Sequence, residues 1–412
     1  MHWVSTLQLM ELPTELVLTM SLKLTLFATV LCLPTQFASA QQTEHGGHQW
    51  LSQAEGEVPS ASTLQVKVEG GSIRLEGHSG DQISYLVRRP ATAQALYRTM
   101  PEQPLFKIAT YVRGTTSWLV ARPKNDESSP SSMELVVRVP RKIQVVELHT
   151  SGGDVSVQGV SARLKVVTGG GHLQMDGVDG IVSAETGGQD IDVGTVGNDG
   201  RFRTGGGNIS IATIKGDVDA FTGGGSISLG TGMRNAVLES SAGDVRVTFC
   251  GGQLKAQSGG GNLFLGDVEG PVDIRTSGGN LRLHSARGFV HAHTTAGNIE
   301  LDDVPSADAT AEVGSIMTKF KATNRREPTS SLETSIGDIT VFLPPDLHLT
   351  VRARVDLGSG HSISSEVPGI RVQQDGDAGS GSVFALGELN GGGPVLRVHT
   401  GNGNIFFKQL ER

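Results

Sequence analysis

Three groups of side chains in this sequence have the types and spacing to do chemistry. The first is His291 and His293, which alternate along an apolar-flanked run and so share one face of a strand, about 6.5–7 Å apart. Asp273 precedes His291 by 18 residues and would add a carboxylate. Imidazole and carboxylate are competent metal ligands, and His45 with His48 forms a second, looser pair. A further convergent ligand is missing from the pattern. The expectation is therefore no metal and no cofactor, with Asp273, His291 and His293 as the place a metal would sit.

The second group is Arg246, Phe264 and Arg282, each 18 residues from the next. They belong to a longer row: Ser156, Gln174, Asp192, Ser210, Ser228, Arg246, Phe264, Arg282, Glu300. A phenyl ring between two guanidinium groups suits an anion or a sugar. The plainer reading is an ordinary solvated face.

The third group is carboxylates. Asp190 with Asp192, and Asp217 with Asp219, lie two apart on single strands. A glycosidase needs two carboxylates facing each other across a cleft, and nothing in the sequence inserts the long loops that would wall one. G-x-S-x-G, zinc-ligand and G-K-[ST] phosphate-loop patterns are missing from the sequence. The expectation is that the protein is not an enzyme. The rival is a β-helix polysaccharide lyase or glycosidase, with Asp192 or Asp273 as its first suspects. A ladder of Asp154, Asp190, Asn208, Asp244, Asn262, Asn280 and Asn298 could suggest calcium. His172 and Ser226 interrupt it and most members are neutral, so it reads as turn formers.

What positions these groups is a repeat. Turns opening on Thr or Ser and running into glycine begin at Thr150, Thr168, Thr186, Thr204, Thr222, Ser240, Ser258, Thr276 and Thr294, every step being 18 residues. Each turn leads into an apolar alternation such as Ile191/Val193 or Ile227/Leu229, whose period of two marks a strand with one inward face. A third apolar row falls at a mid-coil corner: Val160, Val178, Val196, Ile214, Met233, Val268. A second strand precedes the next turn, with inward positions Val166, Ala184, Phe202, Ala220, Leu238, Ala256, Ile274 and Ala292 alternating large and small. Two strands of about five residues cannot bury a face alone, so the units must stack. The fold class is all-β: a single-stranded parallel β-helix, a solenoid of 18-residue coils over residues 150–304. The turn glycines should supply positive φ and close approach between coils, and the Asp or Asn after them should tolerate left-handed backbone. Opposite charges one coil apart, Glu185–Arg203 and Lys255–Asp273, should pair on the surface.

Outside that register, residues 41–149 read as a β-rich N-terminal cap, an antiparallel region containing a loop at 125–132. Residues 305–412 read as irregular C-terminal coils and a top cap. Caps are expected because open solenoid ends are aggregation templates. Copies of the turn return at Thr334 and Thr400, and Gly71–Leu75 is an early relative.

Glycine stands at 56 residues against 16 prolines, which with no every-third-residue period excludes collagen. The formal net charge of −8 is spread out and no basic block occurs, so nucleic acid is not an expected partner. Residues 1–40 read as a signal region. Translation would start at Met20, Lys23 would supply the positive end, Leu24–Leu33 the apolar stretch, and Ala38-Ser39-Ala40 the cleavage site. About ten apolar residues are too few to span a bilayer, and the mature chain holds no membrane-spanning segment. Export to the periplasm, the cell surface or the medium follows. Removal of the signal takes Cys32 with it and leaves Cys250 without an intramolecular partner.

The turns of T-x-G-G-[DN]-[IV]-x-[VIL] type, the Val139-Pro140 step before the first coil, and the closing Thr400–Ile405 turn followed by Lys408 carry a resemblance to a family. The chain resembles the bacterial adhesin-like family of β-strand-repeat domains of unknown function, over roughly residues 60–408. The resemblance implies an exported or envelope-associated protein with a right-handed β-helix, and it supplies no catalytic residues. The function expected is a non-catalytic adhesin-like binding module or cell-envelope scaffold, with a glycan or an envelope protein as partner.

Overall fold

The computed structural model describes residues 42–45, 48–90, 106–123, 133–322, 328–357, 360–374 and 381–410. The signal-region expectations for residues 1–40 and the loop at 125–132 lie outside the described residues. Ala40–Arg412 forms one compact unit. Its strands make two long sheets, and every regular coil contributes one strand to each. The strand after the glycine turn enters the first sheet and the strand before the next turn enters the second.

Register follows the 18-residue spacing. In the first sheet Ile191, Ile209, Ile227, Val245, Leu263 and Leu281 are successive parallel partners. In the second sheet Val166, Ala184, Phe202, Ala220, Leu238, Ala256, Ile274 and Ala292 are superposed in the same way. All are buried between the sheets, Phe202 fully. Phe202 fits because Gly200 carries no side chain: a Cβ there would overlap its ring and the tip of Ile214. Large and small residues interlock from coil to coil, as close packing demands.

The mid-coil corner corrects one expectation. Val160, Val178, Val196 and Ile214 are buried, but Met233 is 52% exposed. Gly232 and Cys250 hold the inward position, paired with Ile214 and each other. Cys250 is thus a core residue, and its burial raises the thiol pKa.

In the turns from Thr150 to Thr276 the glycines serve close approach rather than positive φ, whereas Gly314 and Gly337 in the later turns combine close approach with φ of 146° and 149°. In the turn after Thr168, a Cβ on Gly171 would fall on the carbonyl of Gly153 in the coil below, whereas one on Gly170 would meet open space. Positive φ is found instead at corner glycines such as Gly177, at 63°. Among the described residues only Asp303 and Asn390 combine a side chain with positive φ, so the Asp/Asn row is not left-handed. Its side chains act differently. Each Oδ1 accepts the backbone N–H of the residue above it, as in Asn208 N to Asp190 Oδ1 at 2.6 Å and Asn280 N to Asn262 Oδ1 at 2.9 Å.

The parallel stack runs past both expected boundaries. At the N-terminal end, the region read as antiparallel contains two further parallel coils. Thr63–Val68 and Ser72–His78 lie between the 145–158 coil and the coil formed by Thr116–Pro123 and Glu134–Pro140. Antiparallel strands cover that end: Phe106–Arg113 on the second sheet, and Ile83–Pro90 followed by His48–Val58 on the first. The spacing falls to 17 where Val290 pairs with Ala307 and Ile299 with Ile316, and a bulge follows between Leu301 and Val304. Stacking continues through Ala307–Phe320 and Ser330–Leu343.

Candidate binding face

The first sheet turns one flat face outward. Each residue from Ser156 to Glu300 in the expected row is the parallel partner of the next. Strand alternation aims these side chains to solvent while Val, Ile and Leu neighbours point in. The row continues above Glu300 through Met317, Thr340 and Phe406.

Arg246, Phe264 and Arg282 come together here as the spacing requires. The guanidinium carbon of Arg246 lies 5.3 Å from the centroid of the Phe264 ring, which is 39% exposed. Arg246 also reaches Asp244 at 2.7 Å, and Arg282 reaches Glu300 at 3.4 Å. Asp244 is held below the usual carboxylate range chiefly by the backbone N–H of Asn262, against a desolvation penalty and with help from Arg246. Both guanidinium groups therefore have a carboxylate partner. The strip is an apolar ring flanked by charge-balanced planar donors, a surface for stacking and hydrogen bonding more than for capturing a bare anion.

Sequence reading placed Asp244 in the turn row and missed its pairing with Arg246. The signal was their separation of two, which puts both on one face. It also missed a second cationic–aromatic group on this face. Lys319, Phe342 and Lys408 are successive partners, with the ammonium groups 5.9 and 5.8 Å from the ring. Their spacing of 23 and 66 residues hides them from an 18-residue search. On the second sheet Arg203 sits 5.8 Å from Phe221, and Tyr111 stacks on Trp118 at 5.9 Å near the N-terminal edge.

Other candidates disperse. Asp273 does lie one coil below His291. Its carboxylate bonds Arg275 at 3.0 Å, while His291 turns to Asp308 at 3.3 Å. No group of three or more His, Cys, Asp or Glu among the described residues could hold a metal ion. His45 and His48 are cross-strand partners in a hairpin. The expected ion pairs are replaced by diagonal ones: Arg203 with Asp219 at 3.2 Å and Lys255 with Glu239 at 3.3 Å. The carboxylates proposed for catalysis are each engaged. Asp190 holds the N–H of Asn208, Asp192 meets His172 at 3.2 Å, Asp217 holds the N–H of Asn235, and Asp219 lies between Arg201 and Arg203. A groove of about 490 Å³ on the second-sheet side is lined by Ile181 and Val237 together with Asp199, Arg201, Asp217 and Asp219. Among the described residues no helix is long and apolar enough to cross a membrane.

No curated protein matches the chain. Two solved structures align with it. One is a candidate cell adhesion protein from Clostridium sporogenes, 9% identical over 88% of this chain and 100% of that one, with a TM-score of 0.17. The other is a candidate adhesin from Bacteroides fragilis, 12% identical over 90% and 100%, with a TM-score of 0.18. Superpositions this slight carry no weight beside the strand registers. The family model described as Toastrack DUF4097, a domain of unknown function, matches residues 57–382, and the chain, with its stacked parallel sheets, belongs to that family.

Proposed function

We propose that this is an exported, non-catalytic β-helical protein serving as an adhesin-like binding module or cell-envelope scaffold, with Arg246, Phe264 and Arg282 as its contact strip for glycan. The observation that supports this most is the part-exposed Phe264 ring beside the Arg246 guanidinium, with Arg282 next in the row and both arginines paired with carboxylates on an in-register face. A pyranose ring offers an apolar C–H face for the phenyl ring and hydroxyls for the guanidinium groups.

A glycan array probed with the purified protein tests the reading. Binding without turnover, reduced at least tenfold by Phe264→Ala, supports it. Release of reducing ends or unsaturated sugars from polysaccharide would favour the lyase or glycosidase reading, and Asp192→Asn would then be the first variant to assay. Cell fractionation tests the compartment: a wholly periplasmic protein keeps the scaffold role and loses the adhesin role.

A further inference from the structure

The C-terminal end of the stack is not wound in chain order. The chain completes the coil 330–343, leaves to build a cap over 349–389, and then returns to insert its last coil, 395–409, between the two. In the second sheet Val395–Asn402 pairs in parallel with Ser330–Ile336 on one side and with Leu349–Val355 on the other. In the first sheet Ile405–Gln409 lies between Ile339–Leu343 and Ile363–Ser365. Among the described residues, every strand pairing that ties the cap to the body passes through this one coil.

The inserted coil is a full partner in the core. Leu396, Val398, Thr400, Ile405 and Phe407 are all at most 1% exposed. It hangs on a hinge of different character, Asn390-Gly391-Gly392-Gly393-Pro394. Asn390, Gly391 and Gly392 have φ of 51°, 87° and 79°. The Asn390 side-chain amide fastens the hinge by donating to the carbonyls of Pro345 and Leu347, both at 2.9 Å. The hinge must carry the chain across one strand. Leu389 pairs with Leu349, and Val395 pairs with Thr350 on the opposite edge of the same strand; that gap is about 9.6 Å.

Both walls of the slot precede its filler in the chain, and what the slot recognises is backbone register and the shape of the inward side chains. A second copy of the chain presents the identical filler. Only local concentration favours the chain's own coil, and a glycine hinge is where strand exchange between copies starts. While the slot is empty, the 330–343 coil is an unpaired parallel edge, a template for another chain.

We propose that residues 395–409 form an exchangeable strap, which closes its own slot in an isolated molecule and the slot of a second copy when molecules are concentrated. Reciprocal exchange joins two copies at their C-terminal ends in a closed, two-fold pair. This inference stands independently of the glycan reading.

Glu333 and His399 are parallel partners on the outer face, one on the slot wall and one on the strap. Glu333→Cys and His399→Cys chains, each also carrying Cys32→Ser, are mixed at high concentration, warmed to the foot of the melting transition, cooled and treated with oxidised glutathione. The expected result is a disulfide-linked heterodimer that neither chain forms alone. A mixture that stays uncross-linked, while the double variant closes its internal disulfide, overturns the proposal. A second full-length variant lacks Gly391–Gly393. Its two remaining hinge residues give three Cα steps of about 3.8 Å, too taut to round Leu349 and return to their own slot. A folded dimer is expected, and a folded monomer overturns the proposal. Should the shortened chain not fold, the cross-linking result decides.

Discussion

The hydroxyl of Thr222 donates to the carbonyl oxygen of Gly207, fifteen residues earlier and one coil below, at 2.7 Å, and the N–H of Gly225 donates back to it at 3.1 Å. The same bond recurs at Thr186 with Gly171, Ser240 with Gly225, Thr276 with Gly261 and Thr400 with Gly337. These hydroxyls are buried and form a polar seam that locks each turn to its predecessor. Thr222→Val keeps the shape and removes the donor, leaving buried backbone groups unpaired at a cost of about 1–3 kcal/mol. Thr222→Ser keeps the bond and should cost much less. Urea unfolding of the two variants checks this, and equal losses would assign the position to packing alone.

Adjacent glycines in one turn should respond in opposite ways. Gly171→Ala drives a methyl group into the Gly153 carbonyl, and backbone must shift. Gly170→Ala points to open space at a residue without positive φ. The expected loss is above 2 kcal/mol for the first and within about 0.5 kcal/mol for the second. Thermal melts of the pair measure the contrast.

Phe202 and Gly200 should be energetically coupled. Phe202→Ala leaves a cavity in a fully buried row and should cost about 3–5 kcal/mol. Gly200→Val alone overlaps the Phe202 ring and is also destabilising. Combined, the valine occupies space the ring vacated. A double-mutant cycle in urea should therefore show the pair losing less than the sum of the singles; strict additivity would contradict the interlocking described above.

The N-terminal coil carries an acid-sensitive clasp. Glu134, 7% exposed, bonds Arg74 at 2.8 Å and Arg88 at 2.5 Å, joining three strands. Burial alone would raise its pKa, but hydrogen bonds from Arg88 and Arg74 outweigh that and hold it below the ordinary value of 4.5. A carboxylate with a depressed folded-state pKa contributes stability above its unfolded pKa and loses it as pH falls through the folded one. Hydrogen exchange in the 63–90 segment should accelerate as pH drops below about 4.5, beyond the intrinsic change. Glu134→Gln should show fast exchange already at pH 7 and a flat residual pH response.

What was legible in the sequence was the part governed by exact repetition. Val166, Ala184 and Phe202 could be superposed from their numbers alone, because parallel pairing between equal coils leaves register no freedom. Met233 was misplaced because an apolar residue beside Gly232 looked like the better core candidate; the register, not hydrophobicity, decides. The end coils were illegible for another reason. Strand insertion pairs Thr334 with Thr400, 66 residues apart, and no period announces that. At the candidate face the row of Arg246, Phe264 and Arg282 could be read. Glu300, which balances Arg282, is the next member of that same row, whereas Asp244 balances Arg246 from two residues away along the chain, a contact that a comparison of vertical neighbours passes over.

The most direct test of the stacked-coil account is a set of distances along the outward row. Spin labels on cysteines replacing Ser156 and Ser228, and replacing Ser156 and Glu300, are separated by four and eight coils. At about 4.8 Å per coil, pulsed dipolar spectroscopy should return distances near 19 Å and 38 Å, the second twice the first. Equal distances, or a broad distribution that does not scale with coil number, would contradict the stack.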